Sequence, residues 1–262
     1  MKSGNTIRYG IFDIKNDTIF KNQFEIDLLK KEMSVSSFEF ELMSNLLDKE
    51  KISIDVGAHL GTYTYYMIKN SKRSWAFEPN PQFFENLKSL SPNLIVKQIA
   101  LSDQNGEAFL RIPAKALGRG TIEKDNTLEE FENIDFISVE QKKLDDYELE
   151  TVGLIKIDVE GHELSVLNGA KNLLIRDKPA LLIEAEERHK RNAVIKVRKF
   201  LEELDYKGFF LSESGLEKIE NFQQEYHQNP RNIKGKEKVG IYINNFLFLP
   251  KDKLQKIFIF LK

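Results

Sequence analysis

The stretch ISIDVGAHLGTYT, residues 52 to 64, sets an acid and two glycines at the junction of an apolar run and a helix-like segment. Asp55 falls at the carboxyl end of a predicted strand, the edge at which open α/β sheets bind ligands. Gly57 and Gly61 allow a tight turn and a close approach of backbone to ligand. Their spacing is D-x-G-x-x-x-G and lacks the three glycines of the dinucleotide fingerprint. With an acid in front, the loop suits a ligand bearing a cationic amine better than one bearing phosphates. A purely structural glycine turn is the competing explanation.

Two further motifs sharpen the first. Glu78, in AFEPNP, ends the next predicted strand, where a carboxylate can accept hydrogen bonds from both hydroxyls of a ribose. In LIKIDVEGHELSVLNGA, residues 154 to 170, Asp158, Glu160, His162 and Glu163 crowd a strand end and a helix start. Two carboxylates and an imidazole at such an edge are suited to catalysis, with His162 able to take a proton near neutrality. Glu160 and Glu163 also have a simpler role, since acids in a first helical turn favour the helix dipole.

The elements around these residues alternate. Strands are expected at Lys51–Asp55, Trp75–Phe77, Leu94–Leu101, Leu154–Asp158 and Ala180–Glu184, and helices near 60–69, 81–90, 164–172 and 193–204. That rhythm implies βαβ units and a mostly parallel sheet of about seven strands, completed by pieces near 208–212 and 239–249. Residues 103 to 147 interrupt it with β-like pieces and the polar GRGTIEKDNT, read as an insertion whose loop covers a site. A first segment, 1–48, is expected to hold a hairpin within Tyr9–Phe20 and a helix near 36–47, ahead of a binding domain over 49–262.

Composition narrows the partners. The 262 residues include no cysteine, which removes disulfides and thiolate metal sites. Lys and Arg number 39 against 41 Asp and Glu, so no overall electrostatic footprint for nucleic acid is expected. The first residues lack the apolar core of a secretion signal, and no run matches a membrane span, which implies a cytoplasmic protein without stable membrane insertion. The apolar C-terminal KDKLQKIFIFLK reads as a docked terminal segment, with a peripheral membrane toe as the alternative. Oligomeric state is not legible.

Taken in order, DVGAHLGTYT, FEPNP with IALSDQNGEA, LIKIDVEGHELSVLNGA and the later PALLIEAEERH resemble the FkbM family of methyltransferases over roughly residues 39 to 190. The resemblance implies a Rossmann-like class I fold, S-adenosylmethionine (SAM) as cofactor, and O-methyl transfer to a hydroxyl of a sugar, a glycan or a polyketide-type ring. It assigns Asp55, Gly57 and Gly61 to the methionine part of the cofactor, with Ala58 and Thr62 of the same loop, and Glu78 to its ribose. It sets Ala100 to Asp103 beside the adenine. For the chemistry, one reading makes His162 the base with Glu160 orienting it; another has Asp158 and Glu184 hold a divalent cation such as Mg²⁺. Methylation of RNA or protein, and a silent nucleotide-binding scaffold, are the remaining alternatives.

Overall fold

A computed structural model describes residues 37–212, 215–234 and 237–261. The expected hairpin within Tyr9–Phe20 lies outside them. Helix α1 (Ser37–Leu46) buries Phe40, Leu42, Met43 and Leu46, apolar positions at helical spacing. The chain then lays down β1 (Ile52–Val56), α2 (Thr62–Asn70), β2 (Arg73–Phe77), α3 (Pro81–Leu87) and β3 (Leu94–Lys97). Pro81 opens α3 and the Asn80 side chain accepts the Gln82 N–H at 3.0 Å, a matched start signal.

The expected strand 94–101 is in fact two. After β3 the chain leaves the main sheet, and β4 (Ala100–Leu101) pairs with β6 (Ile134–Lys142), which in turn pairs antiparallel with β5 (Gly106–Pro113). This small three-stranded sheet is the body of the insertion.

The chain returns to the centre of the main sheet as β7 (Val152–Ile157) and continues through α4 (Glu163–Asn168), α5 (Lys171–Asp177) and β8 (Ala180–Glu184). The expected single helix over 164–172 therefore breaks at Gly169. A Cβ on Gly169 would lie 1.9 Å from the Ser102 carbonyl oxygen, so the strap leaving β4 crosses directly over the break. Then follow α6 (Ala193–Glu203), β9 (Tyr206–Ser212), β10 (Gly215–Lys218), α7 (Gln224–His227), a minor pair β11 (Ile233–Lys234) and β12 (Glu237–Lys238), and β13 (Asn245–Pro250).

The main sheet has the order β10-β9-β13-β8-β7-β1-β2-β3. Strands β3, β2, β1, β7 and β8 run parallel, while β13 lies antiparallel between β8 and β9. Both β1 and β7 are buried along their whole length, as expected of parallel strands covered on both faces. One face packs Ile54, Val56, Phe77, Ile155 and Ile157 against α4 to α6; the other packs Leu154, Leu182 and Leu247 against α1. The C-terminal 3₁₀ turns (Lys251–Phe260) dock on this second face through Ile257, and Lys253 Nζ donates to the Lys178 carbonyl at 2.7 Å. Among the described residues no helix is long and apolar enough to cross a membrane.

The chain goes outward from β1 to β3 and then restarts at β7 on the other side of β1. The order reverses between these two neighbours, and a crevice opens at their carboxyl ends. Because the crossing at Gly169 has no room for a methyl group, Gly169→Ala should destabilise the fold by about 1–3 kcal/mol in urea titration. An unchanged midpoint would show that the Ser102 strap yields freely.

Candidate active site

The crevice is a cleft of ≈ 580 Å³, counted with its open mouth. Val56 and Gly57 come from the end of β1, Glu78 and Asn80 from the end of β2, and Asp158, Val159, Glu160 and His162 from the end of β7. The apolar wall is Phe83, Ile99, Ala100 and Leu101, and the insertion closes over it with Leu110, Leu117, Gly118, Thr121 and Ile122. The polar loop expected to cover a site contributes Gly118, Gly120, Thr121 and Ile122 to this cleft.

Gly57 has φ +79°, and a Cβ there would sit 1.8 Å from the Asp158 carbonyl oxygen. No side chain fits, so the loops after β1 and β7 touch backbone to backbone. Gly61 starts α2, and its missing Cβ makes room for Leu87 and Leu90 instead of a ligand.

Glu78 ties the β1 loop to β2. One carboxylate oxygen accepts the His59 N–H and the other the Asn80 N–H, each at 2.8 Å. Each oxygen keeps lone-pair capacity toward the cleft. Burial pushes the Glu78 carboxyl up to about 7, against the pull of those two amides. Asp55 is buried too, accepts the Thr64 hydroxyl at 2.5 Å, and is pushed up to about 6 by burial.

The other predicted residues divide. Gly57, Glu78, Asp158, Glu160 and His162 line the cleft. Asp55, Ala58, Gly61 and Thr62 lie behind its wall, in or next to the glycine loop, and Asp103 is exposed with its carboxylate accepting from Ser102.

His162 has no idle nitrogen: Nε2 lies 3.0 Å from Ser102 Oγ and Nδ1 3.1 Å from Glu123 Oε2. Glu160 adopts φ +52°, a strained setting for a residue with a side chain. Its carbonyl is held by Thr121 Oγ1 at 3.0 Å and Asn126 Nδ2 at 2.9 Å, and its carboxylate lies 3.0 Å from His189 Nε2 and 3.6 Å from Arg119. Four of these six partners, Arg119, Thr121, Glu123 and Asn126, belong to the insertion. Sequence reasoning missed them because their partners lie about 35 to 70 positions away in the chain.

The metal reading finds no support at its two ligands. Asp158 Oδ2 pairs with the buried Lys156 ammonium at 3.6 Å, and Glu184 Oε1 accepts the Asn244 amide at 2.6 Å. Among the described residues no group of three His, Asp or Glu is placed to hold an ion. Burial opposes the charge on Lys156, but Asp158, Glu184, Asp55 and Glu39 outweigh it and hold the lysine above its ordinary pKa. A fixed cation already occupies the neighbourhood a metal would need.

The sequence model described as the methyltransferase FkbM domain matches residues 55–207, more than half of the chain. The chain belongs to the FkbM methyltransferase family. Two curated relatives are similar to it. The hexuronic acid methyltransferase AglP of Haloferax volcanii is 30% identical over 132 residues, covering 48% of this chain and 53% of that protein. The 2-O-methyltransferase NoeI of Sinorhizobium fredii is 27% identical over 171 residues, covering 57% of this chain and 70% of that protein. This FkbM chain thus spans about half the length of AglP. Among solved structures, an FkbM methyltransferase of Methylobacillus flagellatus aligns with TM-score 0.48 at 16% identity, over 78% of this chain and 47% of that one.

Glu123 is the clasp between the insertion and this family's β7 motif. Burial pushes its carboxyl up, but hydrogen bonds from His162, Lys190 and the Asp125 amide outweigh that and hold it down at about 2. A depressed carboxyl contributes stability above its unfolded pKa, near 4.5, and loses it as pH falls toward about 2. Glu123→Gln should therefore cost on the order of 1–3 kcal/mol at pH 7, and less with each step below pH 4.5. A difference between the two proteins that stays constant from pH 7 to 3 in denaturant titrations would refute this.

Proposed function

We propose that this chain is a SAM-dependent O-methyltransferase whose acceptor is a hydroxyl of a sugar or glycan. The observation that carries the cofactor assignment is Glu78. A buried carboxylate, already oriented by two backbone amides, faces a cleft whose far wall is apolar. The residues present fit SAM: Glu78 for the ribose hydroxyls, Phe83, Ile99, Ala100 and Leu101 around the base, and the Gly57 turn at the amino-acid end. The bound cofactor supplies a methyl group on a sulfonium, which leaves the protein the tasks of aligning an acceptor oxygen and receiving its proton. The sugar assignment rests on the printed activities of AglP and NoeI.

For the proton, Asp158 is the better placed of the candidate residues. Its side chain is one-third exposed, lines the cleft and carries no hydrogen bond from the described residues, only the ion pair with Lys156. His162 must first surrender Ser102 or Glu123 to accept a proton. It acts here as a positioning residue that fixes the insertion against the β7 loop. A base contributes about 10²–10⁴-fold in rate, so Asp158→Asn should lower kcat at least 100-fold with affinity for S-adenosylhomocysteine little changed. Full activity in that variant, with loss in His162→Ala, would restore the histidine as base.

The cofactor assignment is tested by calorimetry with S-adenosylhomocysteine. Glu78 must be ionised to accept both ribose hydroxyls, yet in the free protein it titrates near 7. Affinity should therefore rise with pH to a plateau above about 8, and weaken by up to ~10-fold per pH unit below 7. Glu78→Gln should bind at least tenfold more weakly at pH 8 and lose most of that slope. Absence of binding by the wild type would remove the cofactor reading altogether.

A further inference from the structure

The buried side-chain atoms without a hydrogen-bond partner among the described residues include Lys156 Nζ, a donor, and Asn245 Oδ1, an acceptor, near the carboxyl edge of β7 and β8. Register puts them on one face of the sheet. Lys156 lies opposite Leu182 of β8, and Asn245 of β13 lies opposite Glu184, two positions further along β8. This is the α1 face, not the face that carries the nucleoside cleft.

Core packing does not call for a lysine at this point. Leu154, Leu182 and Leu247 surround the position on the same face, and all are buried. Lys156 is 1% exposed, stands over the Tyr63 ring at 5.0 Å, and meets Asp158 only as an ion pair at 3.6 Å. Its three hydrogens are directional donors, and an ion pair at that distance does not satisfy them. Buried orphans of this kind call for a missing partner, and an orphan donor and an orphan acceptor on one face of the sheet match a hydroxylated one. Asp158 links Lys156 to the cleft, since it pairs with the ammonium and lines the cleft.

We propose that Lys156 and Asn245 form the acceptor subsite of this enzyme, taking two neighbouring hydroxyls of a sugar ring. The proposal rests on the methyltransferase reading above. Lys156 donates to the oxygen that becomes methylated, and Asn245 Oδ1 accepts from the adjacent hydroxyl. As the new O–C bond forms, the C–S bond breaks with its electron pair going to sulfur. The hydroxyl proton passes to the Asp158 carboxylate and from there to water, while Lys156 stays an ammonium throughout and stabilises the oxygen as its proton leaves. Asp158, Glu184, Asp55 and Glu39 surround the one cation, so the subsite excludes an acceptor's own carboxylate. A uronic acid binds with its hydroxyls inward and its carboxylate toward solvent.

The test uses the full chain saturated with S-adenosylhomocysteine and saturation-transfer NMR with methyl hexopyranosides and a methyl hexuronoside. Wild type, Lys156→Met, Lys156→Arg and Asn245→Leu are compared, with cofactor affinity measured in each. The expected result is at least tenfold weaker sugar binding in Lys156→Met and Asn245→Leu, with cofactor affinity within threefold of wild type. Lys156→Arg, which keeps a donor, should fall between. Unchanged sugar binding in both variants would mean that the orphans hold trapped water and would overturn the subsite. So would sugar binding by none of the proteins while the cofactor binds, an outcome that leaves the methyltransferase reading standing. Loss of cofactor affinity in both Lys156→Met and Asn245→Leu would make them cofactor or packing residues. If Lys156→Met does not fold, Asn245→Leu carries the same comparison. A wild type that fails to bind S-adenosylhomocysteine would instead sink the cofactor reading, and the subsite with it.

Discussion

The loops after β1 and β7 share one cleft because nothing stands between Gly57 and the Asp158 carbonyl. A Cβ at Gly57 would lie 1.8 Å from that oxygen, far inside van der Waals contact. Parallel strands with the chain order reversing between them already direct both loops to the same edge. The missing side chain then lets the two backbones close up, which brings Glu78, through its bond to the His59 amide, and Asp158 to the rim of a single cavity. Widening this contact by one methyl group would move every polar group of the cleft relative to the others.

That closeness has an electrostatic cost. Asp55 and Glu78 sit at one sheet edge and are pushed up by burial, and Glu184 rises well above its ordinary range for the same reason and because Asp158 faces it. Such a cluster is tolerable only if each acid is neutral part of the time, hydrogen-bonded, or near a cation. All three remedies are present: the raised pKa values of Asp55 and Glu78, the amides on Glu78 and hydroxyl on Asp55, and the Lys156 ammonium beside the acids. Lys156 is thus what allows several carboxyl groups to share a dry edge.

Much of the framework was legible from local pattern. The acid-glycine loop, Glu78 at a strand end and the β7 motif each carry their signal within a dozen residues, and Ala180–Glu184 is bounded as its composition suggests. The errors came where distant contacts decide. Residues 94–101 read as one strand, but Ala100 and Leu101 are captured by β6, some forty positions away. Residues 164–172 read as one helix, but the Ser102 strap forces a break at Gly169. For His162 the local motif could not show that Ser102 and Glu123, 60 and 39 positions away, meet its two ring nitrogens. Lys156 was passed over as one polar residue in an apolar strand, although a charge in a fully buried run is itself a signal.

The insertion completes the site by constraint more than by chemistry. Thr121 and Asn126 hold the Glu160 carbonyl, and Glu123 holds His162, so the β7 loop keeps a left-handed residue that it would otherwise relax. Glu160 in that conformation turns its carboxylate to His189 and Arg119, away from Asp158. Asp158 is then left as the carboxylate of this loop without a hydrogen-bond partner at the cleft. A loop free to relax would let Glu160 and Asp158 compete for the same cations. With Asp158 as the proposed proton acceptor, the strap across β4 and the clasp at Glu123 would bear on catalysis without touching the reacting atoms. They keep one acid paired so that the other stays available.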